Sequence, residues 1–186
     1  MPYNKTSVLI NKFYHWDISG CLFFNHFCHK QAVKNFFSMI SRLGDGVFWY
    51  SFALCLPFIY GQTGLLIALN MVICGLLCLL LYRQLKTRLV RERPFIRSKD
   101  ILRGCAPLDR YSFPSGHTMH AFCFSTIALW QFPEFWPLLV PFTLLVAVSR
   151  MVLGLHYPSD VLCGAIIGVL MGATANYLSM TQLLSI

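Results

Sequence analysis

Acidic side chains are scarce in this 186-residue chain: Asp and Glu total seven, against fifteen Lys and Arg. So few carboxylates, dispersed along the sequence, offer no cluster to hold Mg²⁺ or Zn²⁺; the expectation is metal-independent chemistry with no cofactor. Charge of either sign is thin at 12% of residues, where a globular chain carries about 25%, while 56% of residues are hydrophobic. No CxxC pair occurs among the eight cysteines, so neither a disulfide framework nor a zinc ribbon is indicated. Most of them lie in apolar runs and read as small buried hydrophobes. Cys21, His26, Cys28 and His29 follow no common metal-ligand spacing. The first 17 residues also lack the basic, apolar, small-residue layout of a secretory signal.

Long uncharged runs take the place of charge. No Asp, Glu, Lys or Arg falls between Gly46 and Tyr82, and Gly61-Gln62-Thr63-Gly64 interrupts that run with turn residues. The pattern predicts a helical hairpin with arms at about 46–61 and 64–82, the first kinked at Pro57. Further spans are expected at 118–132, 138–153 and 161–178, with Trp130 and Trp136 flanking a tight turn at the depth of an aromatic belt. Gly164, Gly168 and Gly172 form a ridge of small residues suited to close helix packing. Residues 18–42 mix apolar positions with Lys30, Lys34 and Arg42 and read as an amphipathic segment at the membrane interface. The expected architecture is an all-α, multi-pass membrane helix bundle of five spans, as a domain over 45–182 preceded by an interfacial segment over 1–44. With a net charge of +8 on such a chain, the partners indicated are the lipid bilayer and an anionic membrane lipid, not nucleic acid.

Three polar clusters stand between the greasy segments: Lys86 through Arg93-Pro94, then Pro114-Ser115-Gly116-His117, then Ser149-Arg150 through His156 and Asp160. Lys86, Arg93 and Arg150 are suited to clamp a multiply charged anion, the arginines by planar bidentate contacts and the lysine as a point charge. Ser115 and Gly116 open a span, where backbone N–H groups bind anions. His156 is the candidate nucleophile, Asp160 the acceptor that orients it, and His117 the acid that protonates the leaving oxygen and later activates water. The five-span topology brings all three clusters to one end of the bundle. Arg88, Arg91, Arg97, Lys99, Arg103 and Arg110 read as headgroup contacts or topology signals, and His120, one turn past His117, as a weaker candidate for a substrate role.

In residue type and spacing the three clusters resemble the type 2 phosphatidic acid phosphatase superfamily, whose signature is K-x6-RP, PSGH and SR-x5-H-x3-D; all three parts are present here. The resemblance implies an integral-membrane hydrolase of a lipid phosphate mono- or diphosphate ester, working through a phosphohistidine with the roles given above. Phosphatidate, phosphatidylglycerophosphate and polyprenyl (di)phosphates all fit. A phosphotransferase using the same site and a non-catalytic lipid-binding protein are the alternatives. Members commonly have six spans, and here the first is missing or reduced to the interfacial segment 18–42. Five Lys and Arg precede the first span, nine lie between Arg83 and Arg110, and the last is Arg150. The positive-inside rule thus predicts an active site on the cytoplasmic face, and the expected location is the inner membrane of a bacterium.

Overall fold

The computed structural model describes residues 5–183, and across them the chain is all-α, as the hydropathy pattern predicts. Its helices are α1 (Lys5–His26), α2 (Gln31–Arg42), α3 (Phe48–Arg88), α4 (Pro94–Arg97), α5 (Gly116–Gln131), α6 (Trp136–Val152) and α7 (Pro158–Leu183). α3 is two helices joined at Gly61, which takes φ 56° and ψ −129°, a turn conformation that glycine adopts without a Cβ penalty. A Cβ on Gly64 would stand 2.1 Å from the Leu56 carbonyl oxygen, so the arms meet backbone to backbone at the reversal. Tyr60, on the first arm, stacks on Phe132 at the far end of α5, whereas Tyr82, on the second, packs against Gly116 at its start. The expected hairpin therefore forms. Its break falls at Gly61, within the expected turn, while Pro57 lies inside the helical first arm; the second arm continues past Tyr82 to Arg88, so Lys86 is presented by a helix end and not by a loop.

Among the described residues, three stretches are long and apolar enough to cross a membrane: 31–88, 133–152 and 158–179. The first contains two passes because the chain reverses at Gly61. α5, with 16 residues, is shorter than a usual span but packs along the others. Phe58 and Leu69 on α3 and Leu162 and Leu170 on α7 are exposed, and Trp130 and Trp136 are both exposed at the end away from the polar clusters. An apolar exterior of this kind belongs against lipid. Inside, Trp49, Leu56, Met71, Met119, Ile127, Leu139 and Val146 form one buried core across α3, α5 and α6.

The contact between α5 and α7 is set by glycine. Cβ atoms added at Gly164, Gly168 and Gly172 would lie 2.6, 2.3 and 2.8 Å from the carbonyl oxygens of Ser115, Met119 and Cys123. The ridge thus carries helix packing, and it fixes how far the start of α5 stands from the start of α7.

The N-terminal segment differs from its expected form. Residues from Lys5 onward are helical, and the segment is two helices, of which α2 alone carries the amphipathic pattern. α1 docks on the polar end of the bundle: Asn25 donates to the carbonyls of Val152 and Leu102, each at 2.9 Å, and accepts from Leu102 N–H at 2.7 Å. Asp17 on α1 is fully buried.

Replacing Gly168 with Val forces α7 away from α5 backbone. The expected result is a destabilisation of about 1–3 kcal/mol, read as a lowered unfolding midpoint in detergent, together with loss of activity because Ser115 and Asp160 move apart; an unchanged midpoint would show that the two helices tolerate separation.

Candidate active site

The backbone brings the three clusters together at one end of the bundle. Arg93 precedes α4, whose first residue is Pro94, and lies 1% exposed. Arg150 ends α6 and is 3% exposed. Gly154, at φ 70°, then turns the chain so that Leu155 and His156 both donate N–H to the Arg150 carbonyl, at 3.0 and 3.1 Å. A Cβ at Gly154 would lie 2.5 Å from the Leu102 carbonyl oxygen, so the five-residue spacing between Arg150 and His156 needs glycine there. α7 begins immediately after, with Asp160 in its first turn and fully buried.

His156 sits at the centre, 2% exposed. Its Nε2 is 3.4 Å from Arg93 Nη1 and its Nδ1 is 3.7 Å from Asp160 Oδ2. A guanidinium only donates, so Nε2 must offer its lone pair, and the ring proton belongs on Nδ1, facing the carboxylate. The gap on the Asp160 side exceeds a hydrogen bond, as contacts in unliganded active sites commonly do before substrate tightens them. Burial, and then the charges of Arg150, Arg93 and Lys86, push the imidazole well below its ordinary value, so it stays neutral.

Around His156 stand the three cations expected as a clamp. Lys86 Nζ donates to Asp109 Oδ1 and, at 2.7 Å, to the Tyr111 carbonyl. Arg93 binds Asp109 Oδ1 at 2.8 Å, the Asp109 carbonyl at 3.1 Å and the Leu155 carbonyl at 2.8 Å. Arg150 donates to Ser41 Oγ, while among the described residues its buried Nε meets no acceptor. Leaving such a donor unpaired costs about 1–3 kcal/mol. Burial works to raise the Asp109 carboxyl, but hydrogen bonds from Lys86 and Tyr82 and the charges of Lys86 and Arg93 outweigh it and hold Asp109 ionised. Three cations against this one carboxylate leave a surplus of two positive charges, the complement of a phosphate monoester dianion.

His117, in the first turn of α5, pairs through Nε2 with Asp45, from the π-helical turn Leu43–Val47 between α2 and α3. An apolar cavity of about 320 Å³ ends at these two residues, walled by Trp49, Met71, Leu76 and Phe124. His120 also lines this cavity, its ring nitrogens 2.9 Å from the Gly116 carbonyl and 3.2 Å from the Gly75 carbonyl. Ser115 stands at the N-cap position of α5 without a side-chain capping bond: its Oγ pairs with Thr118 Oγ1 at 2.8 Å, and its N–H donates to the Asp160 carbonyl at 3.1 Å. That amide is therefore engaged, and the N–H groups of this turn left without intrahelical partners begin at Gly116. Among the described residues no three His, Cys, Asp or Glu side chains stand where they could share a metal ion.

Four functional groups escape a reading by motif: Asp17, Asp45, Asp109 and Arg91. Arg91, grouped above with the headgroup contacts, instead binds Asp160 Oδ1 at 2.6 Å, Ser159 Oγ at 2.7 Å and Asp17 Oδ2 at 2.5 Å, and lies 3.8 Å over the Tyr157 ring. A signal for the acids was present. Of the seven carboxylates in the chain, four, Asp17, Asp45, Asp109 and Asp160, each meet a cation or imidazole at this one site.

Residues 59–183 match the PAP2 superfamily. Over 72 residues the chain is 36% identical to a lipid A 1-phosphatase of Porphyromonas gingivalis; this stretch is 37% of the present chain and only 16% of that longer relative. Among solved structures, LpxE of Aquifex aeolicus superposes with a TM-score of 0.74 at 25% identity, covering 86% of this chain and 94% of that one. A transmembrane PAP2-type phosphatidylglycerolphosphate phosphatase from Bacillus subtilis has a TM-score of 0.67 at 23% identity, covering 92% of this chain and 88% of its own, and shares the fold. With Lys86, Arg93, His117, Arg150, His156 and Asp160 gathered at one end of such a bundle, this chain belongs to the PAP2 superfamily.

Proposed function

We propose that the protein is a lipid phosphate phosphatase of a bacterial inner membrane, hydrolysing a phosphate mono- or diphosphate ester through a phosphohistidine on His156 without a metal ion. The observation that carries this reading is a buried neutral imidazole, its lone pair directed into a clamp with two surplus positive charges. Lipid phosphates of the phosphatidate, phosphatidylglycerophosphate and polyprenyl classes meet the chemistry, and the names of the relatives add lipid A 1-phosphate.

The phosphoryl group binds between Lys86, Arg93 and Arg150, with N–H groups from the first turn of α5 on its remaining oxygens. Nε2 of His156 attacks phosphorus in line, the bond to the leaving oxygen breaks, and His117 delivers a proton to that oxygen. Water then gives a proton to His117 and attacks the phosphohistidine, the P–N bond breaks, and inorganic phosphate leaves. Since the apolar cavity ends at His117, the departing lipid lies along it, beside its acid. Lys and Arg are concentrated at this end of the bundle, which supports a cytoplasmic-facing site.

Phosphate release from a panel of lipid phosphates by purified protein in detergent with EDTA tests the reading. Release by the wild type that falls by at least about 10³-fold in His156→Ala is the expected outcome, the scale on which a covalent nucleophile contributes. Release abolished by EDTA and restored by a divalent ion would overturn the metal-independent mechanism.

The acid limb of the pH profile gives a second check. His156 titrates well below 6.5, so the imidazole remains unprotonated as pH falls through that value. Only the second ionisation of the substrate phosphate, near pH ~6, then shapes log kcat/KM on the acid side. The expected limiting slope is one; a slope of two, with a step near 6.5, would show that the nucleophile is an ordinary histidine.

A further inference from the structure

Arg91 falls at an unspecified position of the first motif, yet it joins several groups of the catalytic end. One nitrogen of its guanidinium, Nη1, is shared between Asp160 Oδ1 and Ser159 Oγ, and the other, Nη2, meets Asp17 Oδ2. The plane lies on the ring of Tyr157, between the nucleophile and its carboxylate in sequence. Asp17 completes the arrangement from α1, accepting the Ser159 N–H at 3.0 Å and the Ser159 hydroxyl at 2.5 Å. Both carboxylates are fully buried.

Two buried carboxylates this close cannot both ionise unless a cation stands between them. Burial works against the charge on Arg91, and Asp160 and Asp17 overcome it, holding the guanidinium above its ordinary value. Asp160 has one remaining task. Its Oδ2 accepts Tyr157 N–H at 2.9 Å, which aims it, and leaves a lone pair towards His156 Nδ1 at 3.7 Å. Were Asp160 to take up a proton, it would donate where it must accept. The ring proton of His156 would then shift to Nε2, removing the lone pair that faces Arg93.

We propose that Arg91 is a positioning residue for the reaction: braced by Asp17 of α1 and stacked on Tyr157, it keeps Asp160 an ionised, oriented acceptor for the Nδ1–H of His156. The inference rests on the reading of His156 as nucleophile. It makes α1 part of the catalytic apparatus, acting through Asp17, Arg91 and Asp160 in turn, with none of the first two touching the phosphoryl group.

The experiment uses the full chain in detergent, with two readouts. In the first, ¹⁵N-histidine NMR with a His156→Gln control for assignment reports the His156 tautomer without any substrate. The wild type is expected as the Nδ1–H form and Arg91→Gln as a shift towards Nε2–H. In the second, phosphate release is measured on the best lipid of the panel. Arg91→Gln is expected to lower kcat roughly 10- to 100-fold, the range for loss of a partner behind a reacting group, with KM within about twofold. In an Asp160→Asn background the same substitution is expected to cost nothing more, because its effect passes through Asp160. Asp17→Asn keeps the volume and serves if Arg91→Gln does not fold; it is expected to lower kcat several-fold with KM unmoved. An unchanged tautomer in both variants, a loss expressed in KM, or losses that multiply in the Asp160→Asn background would each overturn the proposal. A wild type that releases no phosphate from any lipid would instead sink the phosphatase reading, and the tautomer measurement would still decide the role of Arg91.

Discussion

Charge held where water is scarce must be answered by opposite charge, and at the polar end of this bundle almost every arrangement follows from that constraint. Lys86, Arg93 and Arg150 are buried within one small volume and repel one another. Asp109 offsets part of that repulsion by binding Lys86 and Arg93 together. Among the described residues, Arg150 has only a neutral hydroxyl, Ser41, as its hydrogen-bonding side chain. A dianion entering between the cations would remove the remaining repulsion, and the same desolvation that makes the empty arrangement costly would favour its binding. On the other side of His156 the balance is reversed, with Asp17 and Asp160 flanking Arg91. The imidazole thus lies between a positive and a negative region, a field that favours its lone pair towards Arg93 and its proton towards Asp160.

That field is useful only if its parts are held at fixed separation, and backbone packing holds them. The glycine ridge of α7 lets α5 approach until Ser115 N–H reaches the Asp160 carbonyl, which ties the start of one helix to the start of the other. The left-handed turn at Gly154 folds His156 back under Arg150. The reversal at Gly61 returns α3 to the same end with Lys86 on its last turn. In each case a residue without a side chain allows a close approach that places a charged one.

The features legible in the sequence are those with a local cause. Uncharged runs, the Gly61–Gly64 turn, the four-residue glycine spacing and the three motifs each depend on neighbours in the chain, and the hairpin, the ridge and the convergence of the clusters follow from them. Partnerships between distant charges have no such trace. Asp17 reaches Ser159 across 142 positions and Asp45 reaches His117 across 72. Nothing local separates Arg91, which is anchored by buried carboxylates, from Arg88 or Arg97. α1 was obscured for the same reason: its polar residues, read alone, describe a surface segment, whereas Asp17 and Asn25 are polar because they enter the site end of the bundle and are satisfied there. Scarcity of acids was the one global clue, since a chain so apolar has little use for a carboxylate without a partner.

The superfamily match begins at residue 59, yet three groups that complete the site lie before it, and each addresses a different motif. Asp17 works on the carboxylate of the third motif through Arg91 and Ser159; Ser41 satisfies one nitrogen of Arg150; Asp45 pairs with the histidine of the second motif. The matched region carries the groups suited to phosphoryl transfer, and the helices before it carry the counter-charges and acceptors that set the state of those groups. Reactivity and its tuning are therefore divided along the chain. α1 and α2 can differ in sequence from those of other members while the motifs stay the same, provided that an acceptor still reaches Arg91, Arg150 and His117. In this bundle the N-terminal helices are thus the wall of the active site that its signature leaves unspecified.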